Sequence, residues 1–279
     1  MILYGAPVRE KIKQELIERV RRLKKKPVLA IVQVGDREDS NVYIKQKQKF
    51  GGEIEIEILL NKFEKNISEK DLILEIKKLN KDKKVGGIIV QLPLPKNFDT
   101  EKIINSVSVK KDADGLVSRA TLEDCPKRVA LDTIPATARG VMALLDYYEI
   151  EIKGKKAAVI GQSILAGKPI ANELEKRGAE VFRCDINTEN IPKIAGECDI
   201  LISAVGKAGL ITKEFVNKEQ VIIDVGINRT KEGKLTGDVD FEEIKRIVAA
   251  ITPVPGGVGP LTVACLFQNL LDLCEQKVL

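Results

Sequence analysis

The most unusual chemical grouping in the first half of the chain is a tyrosine and a lysine four residues apart. Tyr43 and Lys47 stand in a segment with helical spacing, so they would share one helix face. The sequence contains no histidine, which excludes Ser-His-Asp chemistry, histidine-ligated zinc and imidazole acid–base catalysis. Proton transfer would therefore fall to Lys, Tyr, Asp, Glu or Cys, and the Tyr43–Lys47 pair is one candidate for a functional site. The alternative is an exposed Tyr–Lys pair without a catalytic role.

A polar side chain also follows the predicted buried strand at residues 87–90. Gln91 comes directly after it, at the rim where parallel sheets place their sites. Farther along, Asp112 and Asp114 precede a glycine in an irregular stretch, residues 109–135. An Asx turn is the simplest interpretation of the two acids. Calcium is discounted as their ligand because the rest of the EF-hand spacing is absent.

A loop of unusual composition joins the last predicted strand to the last predicted helix. It runs from Pro253 to Thr262 with the sequence PVPGGVGPLT. Its many glycines and prolines predict a rigid loop lined by backbone, which suits a flat or extended ligand.

The second half of the chain carries a turn that is typical of dinucleotide binding. Its first strand runs into Gly161, and Gly167 lies near the start of the following helix. The first glycine permits a tight turn, and the second allows the helix and the strand to pack closely. The helix N-terminus would point free N–H groups at a diphosphate. The next strand ends in Asp185, about 24 residues on, where such folds often place an acid against the adenosine ribose. An ordinary strand–helix turn is the alternative.

Short apolar segments alternate with helical patterns along the whole chain, which predicts parallel strands joined by crossover helices. The predicted strands are 27–34, 53–60, 87–90, 156–161, 180–185, 200–205 and 221–225, and the predicted helices are 7–25, 38–50, 68–80, 164–177 and 261–276. We therefore predict an α/β fold of two domains. Residues 1–136 would form a substrate and catalytic domain, joined by a C-terminal helix at 261–279, and residues 137–260 a Rossmann-like NAD(P)-binding domain.

The composition agrees with a two-domain globular protein. The chain has 279 residues, of which 44% are hydrophobic and 31% charged, so disorder is not expected. No apolar stretch approaches the roughly 20 residues that span a membrane, and the N-terminus lacks the apolar core of a signal peptide. The basic run at residues 21–26 is expected to be the solvated end of a helix rather than a nucleic-acid site.

The cysteines show no close pairing of the kind that binds metals. They stand at Cys125, Cys184, Cys198, Cys265 and Cys274. Scattered thiols in apolar surroundings predict a reduced, cytoplasmic protein.

Together these segments resemble the bifunctional methylenetetrahydrofolate dehydrogenase/methenyltetrahydrofolate cyclohydrolase family. The resemblance covers nearly the whole chain and rests on Tyr43-x-x-x-Lys47, Val90-Gln91-Leu92-Pro93-Leu94-Pro95, Lys111-Asp112-Ala113-Asp114-Gly115, Gly161-x-Ser163-x-x-x-Gly167-x-Pro169 and the loop from Pro253 to Thr262. It implies oxidation of 5,10-methylenetetrahydrofolate to 5,10-methenyltetrahydrofolate with a nicotinamide cofactor, then hydrolysis to 10-formyltetrahydrofolate. It also implies a homodimer that serves one-carbon metabolism and purine biosynthesis. A homodimer is also favoured by the edge strands that we expect in the cofactor domain near residues 221–228 and 234–239, because exposed sheet edges are usually covered.

The resemblance assigns roles to individual residues. Lys47 is the implied catalytic lysine, Gln91 the glutamine that holds it, Asp114 the acid that binds the pterin ring, and Tyr43 the aromatic that stacks on the substrate. Further substrate-binding residues are Leu92, Pro253, Gly256, Gly257 and Thr262. The implied cofactor-binding residues are Gly161, Gln162, Ser163, Gly167, Pro169, Asp185, Val205, Gly206 and Ile227. No metal is expected.

Three departures from the family pattern stand out. Residues 135–140 read PATARG where the family usually has Pro-Cys-Thr-Pro-x-Gly, which predicts a less rigid loop. Gln162 replaces a common arginine, and Asp185-Ile186-Asn187 replaces a His-Ser-Arg/Lys run. The arginine and serine are the groups expected to hold the 2′-phosphate of NADP. The family therefore implies NADP, whereas the local residues favour NAD.

Two other functions are alternatives. A two-domain dehydrogenase of the shikimate or amino-acid type shares the predicted architecture, but does not explain the strand end at Gln91 or the loop that starts at Pro253. A non-enzymatic cofactor-binding sensor would be expected to lack Lys47 or Asp114, and both are present.

Overall fold

A computed structural model of the chain describes residues 1–117, 133–230 and 232–275. These residues form two compact units. The three-strand unit comprises the described residues of Ile12–Ala136 and Leu266–Leu279, and the five-strand unit those of Met1–Lys11 and Thr137–Cys265. The predicted substrate domain had included residues 1–11. In the structure they belong to the five-strand unit, where the Leu3 N–H donates to the Ile251 carbonyl at 2.8 Å.

The three-strand unit contains a parallel sheet with helices between its strands. Its elements are β1 (Val28–Val34), α2 (Glu38–Glu53), β2 (Glu57–Phe63), α3 (Glu69–Lys81), β3 (Val85–Val90) and α4 (Thr100–Ile104), with a 3₁₀ turn at Val109–Lys111. Two long helices, α1 (Gly5–Arg22) and α9 (Gly259–Glu275), each contribute residues to both units.

The order of the strands in this sheet is β2-β1-β3, and both pairings are parallel. The chain leaves β1 toward β2 on one side and then crosses to β3 on the other. The carboxyl ends of β1 and β3 therefore flank a topological switch point, which is where open parallel sheets bind ligands. Gln91 follows β3 at this point, and its N–H donates to the Val32 carbonyl of β1 at 2.8 Å.

Helix α3 shows how the sequence shapes this unit. Ser68 caps the helix by accepting a hydrogen bond from the Asp71 N–H at 3.1 Å. Leu72, Ile76 and Leu79 are buried at helical spacing against the sheet. The apolar face thus fixes the helix on the sheet and leaves its charged face in solvent.

The five-strand unit is also built on a parallel sheet. Its elements are α5 (Ala136–Tyr147), β4 (Lys156–Ile160), α6 (Gly167–Lys176), β5 (Glu180–Cys184), α7 (Ile191–Gly196), β6 (Ile200–Ser203), β7 (Val221–Asp224), β8 (Asn228–Arg229), β9 (Leu235–Thr236), α8 (Phe241–Ile244) and β10 (Ala250–Ile251). The strand order is β10-β7-β6-β4-β5. This is a doubly wound arrangement with its switch point between β4 and β6. The predicted α/β fold class with parallel sheets is confirmed.

Several sequence predictions need correction. The sheet was expected to end in edge strands near residues 221–228 and 234–239, but β7 is an internal strand and β8 pairs with β9 in a separate two-stranded sheet. Residues 136–140, expected in a loop, begin helix α5. The predicted strand at 53–60 instead starts at Glu57 as β2.

Some predictions fall outside the described residues. They include Cys125 and residues 118–132 of the predicted irregular loop. The other four cysteines are free thiols, and Cys184, Cys198 and Cys265 are buried. No described helix is both long and apolar enough to cross a membrane.

Candidate active site

Lys47 and Gln91 meet in the three-strand unit. Lys47 lies on α2, the helix that joins β1 to β2, and its Nζ donates to Gln91 Oε1 at 2.8 Å. Gln91 is only 8% exposed, and its own Nε2 donates to the Leu92 carbonyl at 2.8 Å. With the amide nitrogen held by the backbone, the amide oxygen is left facing the lysine. Gln91 therefore fixes the position of the Lys47 amine.

Burial alters the protonation of Lys47. Desolvation lowers the pKa of its amine below the usual 10.5, and the Asp114 carboxylate only partly offsets this shift. A lysine with a lowered pKa has a larger neutral fraction at physiological pH than a solvated lysine. Neutral lysine can accept a proton, so this amine has the property required of a general base.

The two acids of the Asp-Ala-Asp-Gly segment have different surroundings. Asp112 Oδ1 accepts from the Gly115 N–H at 2.9 Å, and Oδ2 accepts from the Val117 N–H at 2.8 Å. Asp112 thus folds the loop back on itself, as expected for an Asx turn. Burial raises its pKa to about 6, with a further upward contribution from Asp114.

Asp114 is electrostatically coupled to Lys47. Burial raises the pKa of its carboxyl, and attraction to Lys47 opposes this rise. Its backbone is fixed from two sides, because its carbonyl accepts from the Ala136 N–H at 3.2 Å and the preceding Ala113 carbonyl accepts from Asn269 at 2.9 Å. Together with Ile88, Ile104 and Leu116, both acids line a small pocket beside β3. A carboxylate in such a place can bind a polar heterocycle through paired N–H groups.

Tyr43 and Leu92 complete the predicted substrate residues of this unit. Tyr43 lies one helical turn before Lys47 on α2, and both side chains are half-buried. Leu92 is also half-buried and follows Gln91 directly. An aromatic ring and an aliphatic side chain so close in sequence to the lysine and glutamine suit an aromatic substrate.

The predicted loop residues Pro253, Gly256, Gly257 and Thr262 belong to the five-strand unit. The Gly256 carbonyl accepts from the Gly5 N–H at 2.8 Å, and Gly256 has a φ of +110° that favours glycine. A Cβ on Gly257 would lie only 2.7 Å from the Pro253 carbonyl oxygen. The loop is therefore a closely packed piece of backbone, in agreement with its composition.

The predicted dinucleotide turn lies at the switch point of the five-strand sheet. Gly161 has a φ of +93°, and a Cβ there would lie 2.4 Å from the Ala204 carbonyl oxygen. A Cβ on Gly167 would lie 1.7 Å from the Gly161 carbonyl oxygen. Both glycines are thus required by the turn, and Pro169 is buried in the first turn of α6, whereas Ser163 is exposed. This tight backbone turn at the start of α6 fits a dinucleotide diphosphate.

Gln162, Asp185 and Ile186 are the residues that the sequence predicts at the adenosine end of the cofactor site. Gln162 Nε2 donates to the Val159 carbonyl at 2.9 Å, so its amide folds back on β4. Asp185 is exposed just after β5, and the Gly161 N–H donates to the neighbouring Cys184 carbonyl at 2.9 Å. Ile186 is 98% exposed.

The arginine that the sequence places next to this end of the site is already paired. Arg183 Nε and Nη2 donate to the two carboxylate oxygens of Glu175 at 3.1 and 2.8 Å, and Nη2 also donates to Asn172 Oδ1 at 2.7 Å. This bidentate pair directs the guanidinium toward α6.

Val205, Gly206 and Ile227 of the predicted cofactor site lie on the loops after β6 and β7. Val205 and Ile227 are 42% and 47% exposed, unusually high for apolar side chains beside a buried sheet. Gly206 is also exposed. Asp238, which the sequence analysis did not select, holds the first of these loops through its carboxylate. Its Gly-Asp-Val-Asp context after a predicted edge strand gave only a weak signal.

Comparisons with known proteins agree with this arrangement. The family model described as tetrahydrofolate dehydrogenase/cyclohydrolase, catalytic domain, matches residues 3–114. The one described as the NAD(P)-binding domain of the same enzymes matches residues 135–278. The bifunctional protein FolD of Thermodesulfovibrio yellowstonii is 41% identical over 97% of this chain and 95% of its own length.

Solved structures give the same result. The bifunctional FolD enzyme of Campylobacter jejuni superposes with a TM-score of 0.93 at 38% identity and covers 99% of both chains. The enzyme from Trypanosoma brucei, solved with NADP and an inhibitor, has a TM-score of 0.90 at 33% identity and covers 100% of this chain and 98% of its own. The chain therefore belongs to the tetrahydrofolate dehydrogenase/cyclohydrolase family.

Proposed function

We propose that this chain oxidises 5,10-methylenetetrahydrofolate to 5,10-methenyltetrahydrofolate and then hydrolyses the product to 10-formyltetrahydrofolate. The family supports both activities. The observation that carries the assignment is the Lys47 amine, held by Gln91 with a lowered pKa beside Asp114. In a chain without histidine, this group supplies the base that hydrolysis needs.

The hydrolytic step uses Lys47 as a general base. The methenyl carbon is already electrophilic, so water can add once a proton is removed. Neutral Lys47 donates one N–H to Gln91 Oε1 and keeps its lone pair for that proton. The cationic substrate would further disfavour the ammonium form and so enlarge the reactive fraction.

Asp114 and Tyr43 would bind the folate. A carboxylate accepts two N–H bonds from a pterin ring at once, and each bond is charge-assisted. The ring of Tyr43 offers an apolar face for stacking one turn away from the base. Asp112 would contribute indirectly, because its carboxylate shapes the loop that carries Asp114.

The oxidative step requires positioning rather than proton transfer. When bound, the nicotinamide cofactor accepts the hydride. Gly161, Ser163 and Gly167 would hold its diphosphate at the start of α6, and Val205, Gly206 and Ile227 would shelter the ring. The NAD(P)-binding domain is a property of the family.

Among the two cofactors we favour NAD. Gln162 bonds to the Val159 carbonyl and Arg183 bonds to Glu175, so neither side chain is available for a phosphate. Asp185 would bring a carboxylate near the ribose. A carboxylate repels a 2′-phosphate but accepts hydrogen bonds from the ribose hydroxyls. Lys168 is an exposed cation near the start of α6, and it is the group that would offset this repulsion if NADP were preferred.

The direct test mixes the purified protein with methylenetetrahydrofolate and either NAD or NADP, and follows the reduced cofactor by absorbance. Hydrolysis is tested separately with methenyltetrahydrofolate and no cofactor. We expect both reactions. Absence of either reaction would contradict the proposed function.

A homodimer is part of the proposal. The β8–β9 sheet has two strands, and the exposed edges of small sheets are usually covered. Leu235 on β9 is 41% exposed. Light scattering across micromolar concentrations should give twice the chain mass, and a monomer mass would contradict the proposal. A cytoplasmic location and a contribution to purine biosynthesis stay predictions from the sequence.

A further inference from the structure

One buried carboxylate organises the loop that follows β6. Asp238 is fully buried, just after β9. Its Oδ2 accepts from the Val205 N–H at 2.8 Å and the Gly206 N–H at 3.1 Å, and its Oδ1 accepts from the Lys207 N–H at 2.8 Å. Three successive backbone donors thus converge on one side chain. Such charge-assisted bonds fix the conformation of a loop that makes no strand pairing of its own.

The same carboxylate also reaches the neighbouring strands. Ser203 Oγ, at the end of β6, donates to Asp238 Oδ2 at 2.9 Å. Asn228 Nδ2, at the start of β8, donates to Asp238 Oδ1 at 3.0 Å. Asn228 directly follows Ile227, so Asp238 ties together the loop after β6 and the loop after β7.

A second carboxylate holds Asp238 in place. Asp224, the last residue of β7, accepts from the Asp238 N–H at 3.1 Å through Oδ1 and from the Val239 N–H at 2.9 Å through Oδ2. Its own N–H donates to Thr252 Oγ1 at 2.8 Å. The backbone that carries Asp238 is therefore anchored to the sheet.

Two glycines make room for these carboxylates. A Cβ on Gly226 would lie 2.1 Å from Asp238 Oδ1, and a Cβ on Gly237 would lie 1.9 Å from Asp224 Oδ2. Neither contact is possible for another residue without moving a buried, hydrogen-bonded carboxylate. The glycines at these two positions are thus consistent with the hydrogen bonds that the Asp224 and Asp238 carboxylates make.

We propose that Asp238 is a positioning residue that preforms the nicotinamide end of the cofactor site by fixing the loops that carry Val205, Gly206 and Ile227. This inference rests on the proposed function, because that function places the nicotinamide on these loops. A loop whose conformation is already fixed in the free protein does not have to be ordered when the cofactor binds. This lowers the free-energy cost of cofactor binding. Loss of the carboxylate should therefore weaken cofactor binding without touching the folate chemistry of Lys47.

The test compares Asp238→Asn with Asp240→Asn. The first substitution would turn one side-chain acceptor into an amide nitrogen that faces backbone N–H donors. Asp240, in contrast, is exposed and only caps α8 by accepting from the Glu243 N–H at 3.3 Å. We expect Asp238→Asn to raise the Kd of NAD at least about tenfold in calorimetry, with Asp240→Asn unchanged. Hydrogen exchange of residues 205–207, measured without cofactor, should accelerate only in Asp238→Asn.

The cyclohydrolase rate without cofactor separates positioning from folding. We expect it to stay at the parental level in Asp238→Asn. If Asp238→Asn does not fold, Asn228→Ala removes a single contact to the same carboxylate, and a smaller rise in the Kd of NAD is expected.

Two outcomes would overturn the inference: parental cofactor affinity in a folded variant, or equal losses of cyclohydrolase rate and cofactor affinity. A parent that binds NAD but does not oxidise the folate would reject the proposed function alone. In that case the Kd and the exchange rates still decide the role of Asp238.

Discussion

Lys47 Nζ and Gln91 Oε1 lie 2.8 Å apart, although their residues are 44 positions apart in the sequence. The helix after β1 supplies the amine, and the end of β3 supplies the amide. Both elements are anchored on one parallel sheet, so the pair is held by the fold rather than by a mobile loop. This arrangement makes the chemistry of Lys47 open to direct test.

Replacing Lys47 by Met should abolish the cyclohydrolase step. The variant keeps much of the aliphatic stem but loses the base, and general base catalysis is worth roughly a hundred- to ten-thousandfold in rate. Hydrolysis of methenyltetrahydrofolate is the measurement, with Lys45→Met as the matched control because Lys45 is exposed on the same helix. NAD binding should survive in both variants, and parental hydrolysis by Lys47→Met would refute the role of the lysine.

Replacing Gln91 by Glu should move the pH dependence of hydrolysis to higher pH. A carboxylate next to the amine stabilises the ammonium form, so the pKa of Lys47 rises and its neutral fraction appears at higher pH. In the parent, burial lowers that pKa, and the rate should increase as pH rises through it. Rate profiles of the two proteins, recorded under the same buffers, test the shift. Superimposable profiles would show that Lys47 is not the titrating group.

The structure explains which of these features the sequence could predict. Tyr43 and Lys47 share a helix because their spacing is local, and Gln91 was placed at the sheet rim because apolar runs identify buried parallel strands. The contacts of Asp238 could not be predicted in this way. They depend on three loops that converge only in the folded unit.

The errors in the predicted elements also have physical causes. Alternating Glu and Ile residues at 53–58 suggested a strand, but Ile54 and Ile56 are buried in a turn after α2, and Glu55 there has a φ of +59°. Helix α5 was missed because a family loop pattern was applied to residues 135–140. Its buried Val141, Leu144 and Leu145 had the helical spacing that should have identified it.

Replacing Asp114 by Asn should weaken folate binding far more than replacing Asp112 by Asn. Asp114 is the carboxylate proposed to bind the pterin, whereas both oxygens of Asp112 are occupied by loop N–H groups. Loss of a charge-assisted pair is worth about 1.5–3 kcal/mol, or roughly ten- to hundredfold in affinity. The measurement is the Kd of the folate for both variants. Equal losses of affinity would reject Asp114 as the residue that binds the pterin.

Asp112 should instead affect how stability depends on pH. Its folded pKa is about 6 because burial disfavours the charged form, whereas its ordinary value is 3.8. Between these two pH values the Asp112 carboxyl is protonated in the folded state but ionised in the unfolded state. Its contribution to the free energy of unfolding is therefore complete below pH 3.8 and is lost as pH rises through about 6. The loss amounts to about 3 kcal/mol.

Asp112→Asn removes this titration and supplies the measurement. Relative to the parent, the free energy of unfolding of Asp112→Asn should improve as the pH of a denaturant titration is raised from about 4 to 7. Asp82→Asn is a suitable control, because Asp82 is exposed. A constant difference between parent and variant across this range would contradict the raised pKa.

In dinucleotide-binding folds, the residues around the adenosine ribose discriminate between NAD and NADP. In the parent, Gln162 bonds to its own strand, Arg183 is held by Glu175, and Asp185 uses one carboxylate oxygen to accept from the Asn187 N–H at 2.9 Å. The exposed Asp185 still has an oxygen for the ribose hydroxyls. NAD should therefore be used with an efficiency comparable to or better than that of NADP.

The double variant Gln162→Arg with Ile186→Ser should shift this preference toward NADP. Ile186 is almost completely exposed, so a serine there can reach a phosphate without repacking, and an arginine in place of Gln162 supplies the missing bidentate donor. One Arg–phosphate contact is worth about 1.5–3 kcal/mol, so the ratio of kcat/KM for NADP over NAD should increase roughly ten- to hundredfold. The measurement compares kcat/KM for the two cofactors at a fixed folate concentration. Lys168→Met is measured in the same way, because Lys168 is the other cation that could bind the phosphate. A parental preference for NADP above about tenfold, abolished by Lys168→Met, would mean that Lys168 holds the phosphate and that the carboxylate of Asp185 does not set the choice.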